Sequence, residues 1–491
     1  MRSKFKIILT VTAYMLIFVV HAHGEVNLVK DINIGAGDSL PDELADINGT
    51  LYFAADDGVA GIELWKSNGT GGGTLRVKDI NPGAGDSSPR EFTNLNGIAI
   101  FSADDGAVNG RELWKSNGTG GGTVMVGDIN PGGADSNPDN LTNVGGTLFF
   151  AADDDGTFGR ELWKSDGTAA GTVQVLDINL GAGSSLPSGL TNVNGTLLFA
   201  ADDGATGVEL WKSDGTVAGT VQVLDINGGA GSSLPNQLTN VNGTLFFVAN
   251  DGTNGVELWK SDGTAGGTVL VKDISPGAAN SDLSQLTNVN GVLFLVSVDA
   301  ANGKELWKSD GTAGGTVLVT DINPGAASSD PDQLTNVGGV LFFSAVDGVN
   351  GKELWKSDGT APGTVLVKDI NVGGDSSPGQ LTVRNGMLFF AADDGNKGVE
   401  LWQSDGTEIG TVIARDINPG VGDSNPDKLT NVAGVLFFSA DDGTRGVELF
   451  VALTDGTTIL GGGGSGCFVD TVAFDLPTHI HTWILKTFWD R

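Results

Sequence analysis

Apolar and polar positions along this chain fall into one phrase that returns many times. A representative copy runs from Leu141 to Ile178. Leu141-Thr142-Asn143-Val144 is a short apolar–polar run ended by Gly145-Gly146. Thr147-Leu148-Phe149-Phe150-Ala151-Ala152 is apolar at consecutive positions, and Asp153-Asp154-Asp155-Gly156 follows it as a turn cluster. Arg160-Glu161-Leu162-Trp163-Lys164-Ser165 is a third run, turned by Asp166-Gly167-Thr168 into a fourth, Thr172 to Ile178. Short runs rich in aromatic and β-branched residues, bounded by Gly and Asp, predict strands. No stretch carries apolar residues at i, i+3 and i+4 behind a cap, so no helix is predicted.

The phrase has a fixed period. The glutamate opening the third strand recurs at Glu63, Glu112, Glu161, Glu209, Glu257, Glu305, Glu353, Glu400 and Glu448, in steps of 49, 49, 48, 48, 48, 48, 47 and 48. Four short strands in about 48 residues describe one propeller blade. The strands, lettered a to d in chain order, are apolar on both faces, as in Val340-Leu341-Phe342-Phe343. That suits sheets covered on both sides. The array opens with a lone d-type strand, Val26 to Ile32, and its ninth a-b-c group ends at Glu448-Leu449-Phe450 with only a stub, Thr457 to Leu460, behind it. Residues 26–458 therefore predict an all-β fold, a β-propeller of about nine four-stranded blades whose last blade is completed by the N-terminal strand. Such closure removes the sheet edge that would template aggregation. An open spiral of the same units is the alternative.

The two ends differ from the repeats. Residues 1–24 read as a secretory signal: Arg2, Lys4 and Lys6, then an apolar stretch from Ile7 to Val20, then Ala22-His23-Gly24 ahead of a cut between Gly24 and Glu25. The apolar stretch is short for a bilayer span, so the mature chain is expected to have no transmembrane segment. Residues 459–466 form a Gly-rich linker, and residues 467–491 a separate tail containing Cys467.

Charge narrows the possible partners. The formal net charge is −33, and removal of the three basic residues of the signal gives −33 − 3 = −36. Such a surface repels nucleic acid and anionic lipid. The four His residues are His21, His23, His479 and His481, and Cys467 is the single Cys. The repeats therefore have no disulfide, no Cys/His zinc site and no histidine acid–base chemistry. Chemistry there would run on Asp, Glu, Ser, Thr or Lys.

Three recurring residues are candidates for function. The tryptophans stand at one fixed place beside Leu on a doubly covered strand, which assigns them to the core. The repeated Glu is expected to cap backbone N–H groups of the adjoining turn. The acids gather at b–c turns, in Asp56-Asp57, Asp104-Asp105, Asp153-Asp154-Asp155, Asp202-Asp203, Asp393-Asp394 and Asp441-Asp442, and at d–a loops, in Asp86, Asp135, Asp375 and Asp423. In an antiparallel blade these connections share one end, so the acid falls on one face of the ring. Hard oxygen ligands at loop tips suit Ca2+, with Asp56, Asp57, Asp104, Asp105, Asp202, Asp203, Asp393 and Asp394 the candidate ligands. Turn chemistry accounts for the same residues without a metal, and no other cofactor is expected. The Asn-Gly-Thr triplets at Asn48, Asn68, Asn117, Asn194 and Asn242 read as hairpin turns.

The phrase Glu-Leu-Trp-Lys-Ser-Asp-Gly-Thr resembles that of the bacterial ELWxxDGT-repeat proteins. Eight copies keep Glu-Leu-Trp, the ninth has Phe450, and two copies carry Asn68 and Asn117 in place of Asp. The resemblance implies secreted or surface proteins with propeller-like repeats and assigns no reaction. The tail resembles the CFI-box C-terminal domain at Cys467, Phe468, Thr471, Ala473 and Phe474 and departs from it at Asp470, Val472 and Asp475-Leu476; it implies a sorting or attachment segment. The resulting expectation is an exported, non-catalytic repeat protein, a monomeric ring that binds or adheres to a surface glycan or protein through an acidic loop face. A propeller hydrolase or lyase using carboxylates and a metal, and a passive envelope or matrix component, are the alternatives.

Overall fold

The structure is a computed structural model that describes residues 25–453, apart from 107 and 155. The expected signal segment with Gly24, the last residues of the repeat body, the Gly-rich linker and the tail with Cys467 lie outside the described residues.

Nine four-stranded antiparallel sheets follow one another around a closed ring. In the third blade the strands are Asp139–Val144 (a), Thr147–Asp153 (b), Arg160–Ser165 (c) and Val173–Leu176 (d), hydrogen-bonded in that order. The fold is a nine-bladed β-propeller. Strand Val26–Lys30 pairs antiparallel with Val447–Ala452 and supplies the outer strand of the ninth blade. The ring is thus closed by its first strand, and no open spiral forms. The a strands approach one another around the axis, Asp427–Val432 lying beside Asp42–Ile47, so a is innermost and d outermost. No helix among the described residues is long and apolar enough to cross a membrane.

Strand alternation explains why consecutive apolar residues are needed. Leu148, Phe150 and Ala152 of the third blade pack with Leu95, Ile100 and Leu113 of the second, whereas Phe149 and Leu162 pack with Leu197 and Phe199 of the fourth. Nine such clusters alternate with nine blades, the last joining Phe437 and Leu449 to Phe53 and Trp65 across the seam. Each fully buried Phe or Leu stabilises by roughly 1.5–3 kcal/mol.

The tryptophans belong to these interfaces. Trp65, Trp114 and Trp259 are 5–7% exposed. None of the eight repeat indoles has a hydrogen-bond partner for Nε1 among the described residues. Lys30 of the ninth blade stands over the Trp65 ring, Nζ 5.5 Å from its centroid, while donating to the Thr74 carbonyl at 2.9 Å. The lysine that follows Trp also links blades. Lys66 Nζ donates to Gly118 O at 2.8 Å, and Lys115, Lys164, Lys212, Lys260, Lys308 and Lys356 each reach the corresponding glycine carbonyl of the next blade.

Two boundaries differ from the sequence reading. Strand d ends at Leu176 rather than Ile178, because Ile178 N turns from the ladder to Glu161 Oε2 at 2.9 Å. Strand a begins earlier, at Asp139, and carries a bulge before Thr142. The a–b hairpins are tight: Asn48 and Gly49 have φ of 53° and 81°, the left-handed pair that a two-residue type I′ turn needs.

Candidate functional site

The repeated glutamate is fully buried in all nine blades. Glu112 accepts from Ile129 N at 2.9 Å, Asn130 N at 3.4 Å, Ser136 N at 3.1 Å and Ser136 Oγ at 2.6 Å. The turn it caps is the d–a loop, which carries the chain into the next blade. Glu448 accepts from Ile32 N, Asn33 N and Ser39 Oγ, so it holds the seam. Burial pushes the carboxyl up to about 7 in Glu63, Glu112 and Glu257, against the donors that pull it down. The other six are shifted the same way by the same cause.

The b–c turns and d–a loops meet at one end of the ring. In the first blade Asp56 Oδ1 accepts from Gly58 N at 2.7 Å, and Asp57 Oδ1 from Val59 N and Ala60 N. Asp202, Asp203, Asp393 and Asp394 repeat the arrangement. Asp104 serves Gly106 N and Asp105 serves Asn109 N. Asp86 Oδ1 takes Ile62 N at 2.8 Å, the first residue of strand c, as Asp38, Asp135, Asp375 and Asp423 do in their blades. Each candidate calcium ligand therefore spends at least one oxygen on its own turn, and Asp105 spends both, on Asn109 N and Nδ2. Among the described residues no three or more His, Cys, Asp or Glu are grouped so as to hold a metal ion.

The first turn position and the loop position do not require a charge: Val298 and Val346 stand at the first in the sixth and seventh blades, whereas the second turn position is Asp in every blade. Asn250 takes the place of the first turn Asp and receives Gly252 N at 2.7 Å. Ser184, Ser232, Asn280 and Ser328 replace the loop Asp and accept the same strand c N–H. The opposite end differs, because there the carboxylates are offset. Asp166, Asp214, Asp262, Asp310 and Asp358 bind their own Thr through Oδ1, which lowers their pKa, and a lysine of the preceding blade lowers it further. Asn68 and Asn117 keep that Asx turn with Thr70 and Thr119. The turn uses only the side-chain acceptor oxygen, which is why both sequences occur.

The channel mouth lies at the acidic end, where the a strands begin. The second residue of each a strand sits at or beside the bulge with positive φ: Glu43, Glu91, Asn140, Gly189, Gln237, Gln285, Gln333, Gln380 and Lys428. Several reach around the ring. Glu43 Oε2 accepts from Glu91 N at 3.1 Å, Glu91 Oε2 from Leu141 N at 3.4 Å, and Gln285 Nε2 donates to Asp332 Oδ1 at 2.8 Å. Lys428 Nζ lies 3.0 Å from Asp42 Oδ1 and closes the circle. This column was missed in the sequence because the units were read as equivalent. Superposing the repeats shows it as the place where otherwise similar blades become unlike.

No family model and no curated protein matches the chain. Parts of several solved structures are similar to it. A crystal structure of puromycin hydrolase is 12% identical with a TM-score of 0.40, over 84% of this chain and 60% of that one. A puromycin-hydrolyzing peptidase of Mycobacterium tuberculosis is 12% identical with a TM-score of 0.35, over 72% and 57%. Prolyl oligopeptidase B from Galerina marginata is 11% identical with a TM-score of 0.39, over 84% and 56%. The chain thus spans about three fifths of the length of the structures it matches. Likeness at this level says nothing of activity or ligand.

Proposed function

We propose that this is an exported, non-catalytic binding or adhesion protein whose working surface is the acidic end of the ring. The observation that carries the reading is the surplus of charge at first turn positions and loop positions that other blades of the same ring fill without charge. Asn250, Asn280, Ser184, Ser232 and Ser328 satisfy the fold without charge. Asp nevertheless fills most of these positions, on a rigid scaffold that repeats them around a circle. A partner would meet the same acidic step at successive blades. Binding is then weak per blade, multivalent and sensitive to salt.

Export rests on the basic and apolar start of the sequence and on the resemblance of its repeats to ELWxxDGT proteins. A surface-exposed basic protein, or a glycan carrying amino groups, is the partner class that this charge fits. The test is binding of the purified, processed chain to an immobilised basic protein at rising NaCl. Avid binding that falls steeply with salt supports the proposal. One tight, salt-insensitive site per ring, or no binding at low salt, would overturn it.

A further inference from the structure

We infer that the outer rim between the second and third blades is a docking site for one lysine side chain of a partner protein, built around Trp163 and apart from the acidic end. Other junctions of the same ring show what such a site holds. At four of them a lysine at the end of strand d lies over the indole of the next blade. Nζ stands 5.5 Å from the Trp65 centroid for Lys30, 5.3 Å from Trp114 for Lys78, 5.6 Å from Trp307 for Lys272 and 5.9 Å from Trp402 for Lys368. The same ammonium groups donate to Thr74 O, Thr123 O, Thr316 O and Thr411 O at 2.7–2.9 Å. The ring quadrupole attracts the ammonium, and the methylene stem covers apolar surface.

The second blade lacks this lysine. Gly127 ends its strand d, Val124–Gly127, and pairs with Leu113 as Lys78 pairs with Leu64. A Cβ on Gly127 would meet nothing within 4 Å. Three groups are uncovered as a result. Trp163 is half-buried, whereas the four indoles beneath a lysine are buried. Thr172, whose carbonyl corresponds to Thr123 O, is half-buried, whereas the other seven threonines at this place are buried. Asp128, next to Gly127, is exposed, whereas the other eight copies of this Asp keep Oδ1 buried. The other lysine of the second blade, Lys115, is engaged at Gly167 O at 2.8 Å.

The remaining junctions are closed by other means. Leu176 and Leu224 pack with Trp211 and Trp259. Arg415 donates to Val26 O at 3.1 Å. Thr320 leaves Trp355 half-buried, but Thr364 and Asp321 Oδ1 stay buried there. Among the described residues, the junction of the second and third blades alone opens ring, carbonyl and carboxylate together. An indole face with oxygen acceptors beside it suits an ammonium, which has three donors and no acceptor. A lysine residue brings both the ammonium and the stem that fill the four occupied junctions, and the missing side chain at Gly127 leaves the way in from outside the ring. The net charge of −33 favours the approach of a basic protein.

The test is titration of the full processed chain with Nα-acetyl-lysine methylamide, followed by ligand-observed NMR. One saturable site in the millimolar range is expected. The norleucine analogue keeps the stem without the ammonium and should bind at least tenfold more weakly. Gly127→Lys copies Lys78 and fills the site from within, and Gly127→Leu copies Leu176. Each should weaken binding tenfold or more with the melting temperature unchanged or raised. Trp163→Phe copies Phe450 and should weaken binding severalfold. Absence of a saturable site up to about 10 mM, equal binding of the norleucine analogue, stronger binding of n-butylamine than of the lysine derivative, or unchanged binding in both Gly127 variants would overturn the inference. The titration should be the same in Asp56→Asn and Asp202→Asn, which alter only the acidic end, so this proposal and the loop-face proposal fail separately.

Discussion

Replacing Glu112 by Ala leaves Ile129 N without an acceptor in a site closed to water, while Ser136 N and Ser136 Oγ keep the Arg111 carbonyl at 3.1 and 3.3 Å. A buried donor left without a partner costs about 1–3 kcal/mol, and each further hydrogen bond lost about 1 kcal/mol. Relief from burying a carboxylate offsets part of this, leaving a loss of about 2–4 kcal/mol. For about 430 residues unfolding as one unit, the unfolding entropy is about 0.9 kcal/mol/K, so the melting temperature falls by about 2–4 °C. Ser136→Ala removes a single hydroxyl donor and should lower it by about 1 °C.

The same site fixes a pH dependence. The folded-state pKa of Glu112, about 7, lies above its ordinary 4.5, so folding favours the protonated acid. That contribution is full below about 4.5 and is lost as pH rises through about 7. The gap between wild type and Glu112→Ala should therefore widen on acidification from pH 7.5 to pH 5, with a ceiling of about 3 kcal/mol. Paired calorimetric scans across this range cancel the repulsion among surface carboxylates, which both proteins share. A drop below 1 °C at every pH, or a gap that narrows on acidification, would refute the assignment of Glu112 as the clamp on the d–a loop.

Other expectations follow from the same contacts. Asp166→Asn should leave the melting temperature within about 1 °C, as Asn68 and Asn117 make the same turn, whereas Asp166→Ala should cost about 1 kcal/mol. Trp259→Ala opens a cavity between the fourth and fifth blades and should cost about 3–5 kcal/mol, read from chemical denaturation. Deleting residues 25–33 removes the outer strand of the ninth blade and part of the seam core, and should lower the melting temperature more than any single substitution here. A chelator should leave the melting temperature unchanged, because Asp56, Asp57, Asp202 and Asp203 are engaged in their own turns; a fall of several degrees would place calcium there.

Much of the architecture was legible because the repeat repeats its own physics. Consecutive apolar residues such as Leu148-Phe149-Phe150 need cover on both faces, and only neighbouring sheets provide it. The surplus d strand at Val26–Lys30 announced the closure. Glu was legible as a cap, but not which loop it holds, since Ile129 and Ser136 lie 17 and 24 residues beyond Glu112 and only the fold joins them. Twelve residues separate Phe150 from Trp163, and although the b–c turn was legible, that these two rings face each other follows only from the register. The channel mouth was not legible at all. It arises from departures at Glu43, Glu91 and Lys428, which are small within any one unit and matter only because the inner strands bring the blades together.

The central claim is that the loop-face carboxylates serve a partner and not the fold. It can be tested by neutralising them in place, with Asp56→Asn, Asp104→Asn, Asp202→Asn and Asp393→Asn, copying Asn250, and Asp86→Ser, Asp135→Ser, Asp375→Ser and Asp423→Ser, copying Ser232. Adsorption to an immobilised basic protein is then measured as the substitutions accumulate. The account predicts that each variant melts within about 0.5 kcal/mol of wild type per site while binding weakens stepwise and loses its salt dependence. Unchanged binding in the fully neutralised ring would contradict it, as would a collapse of stability in step with the charge removed.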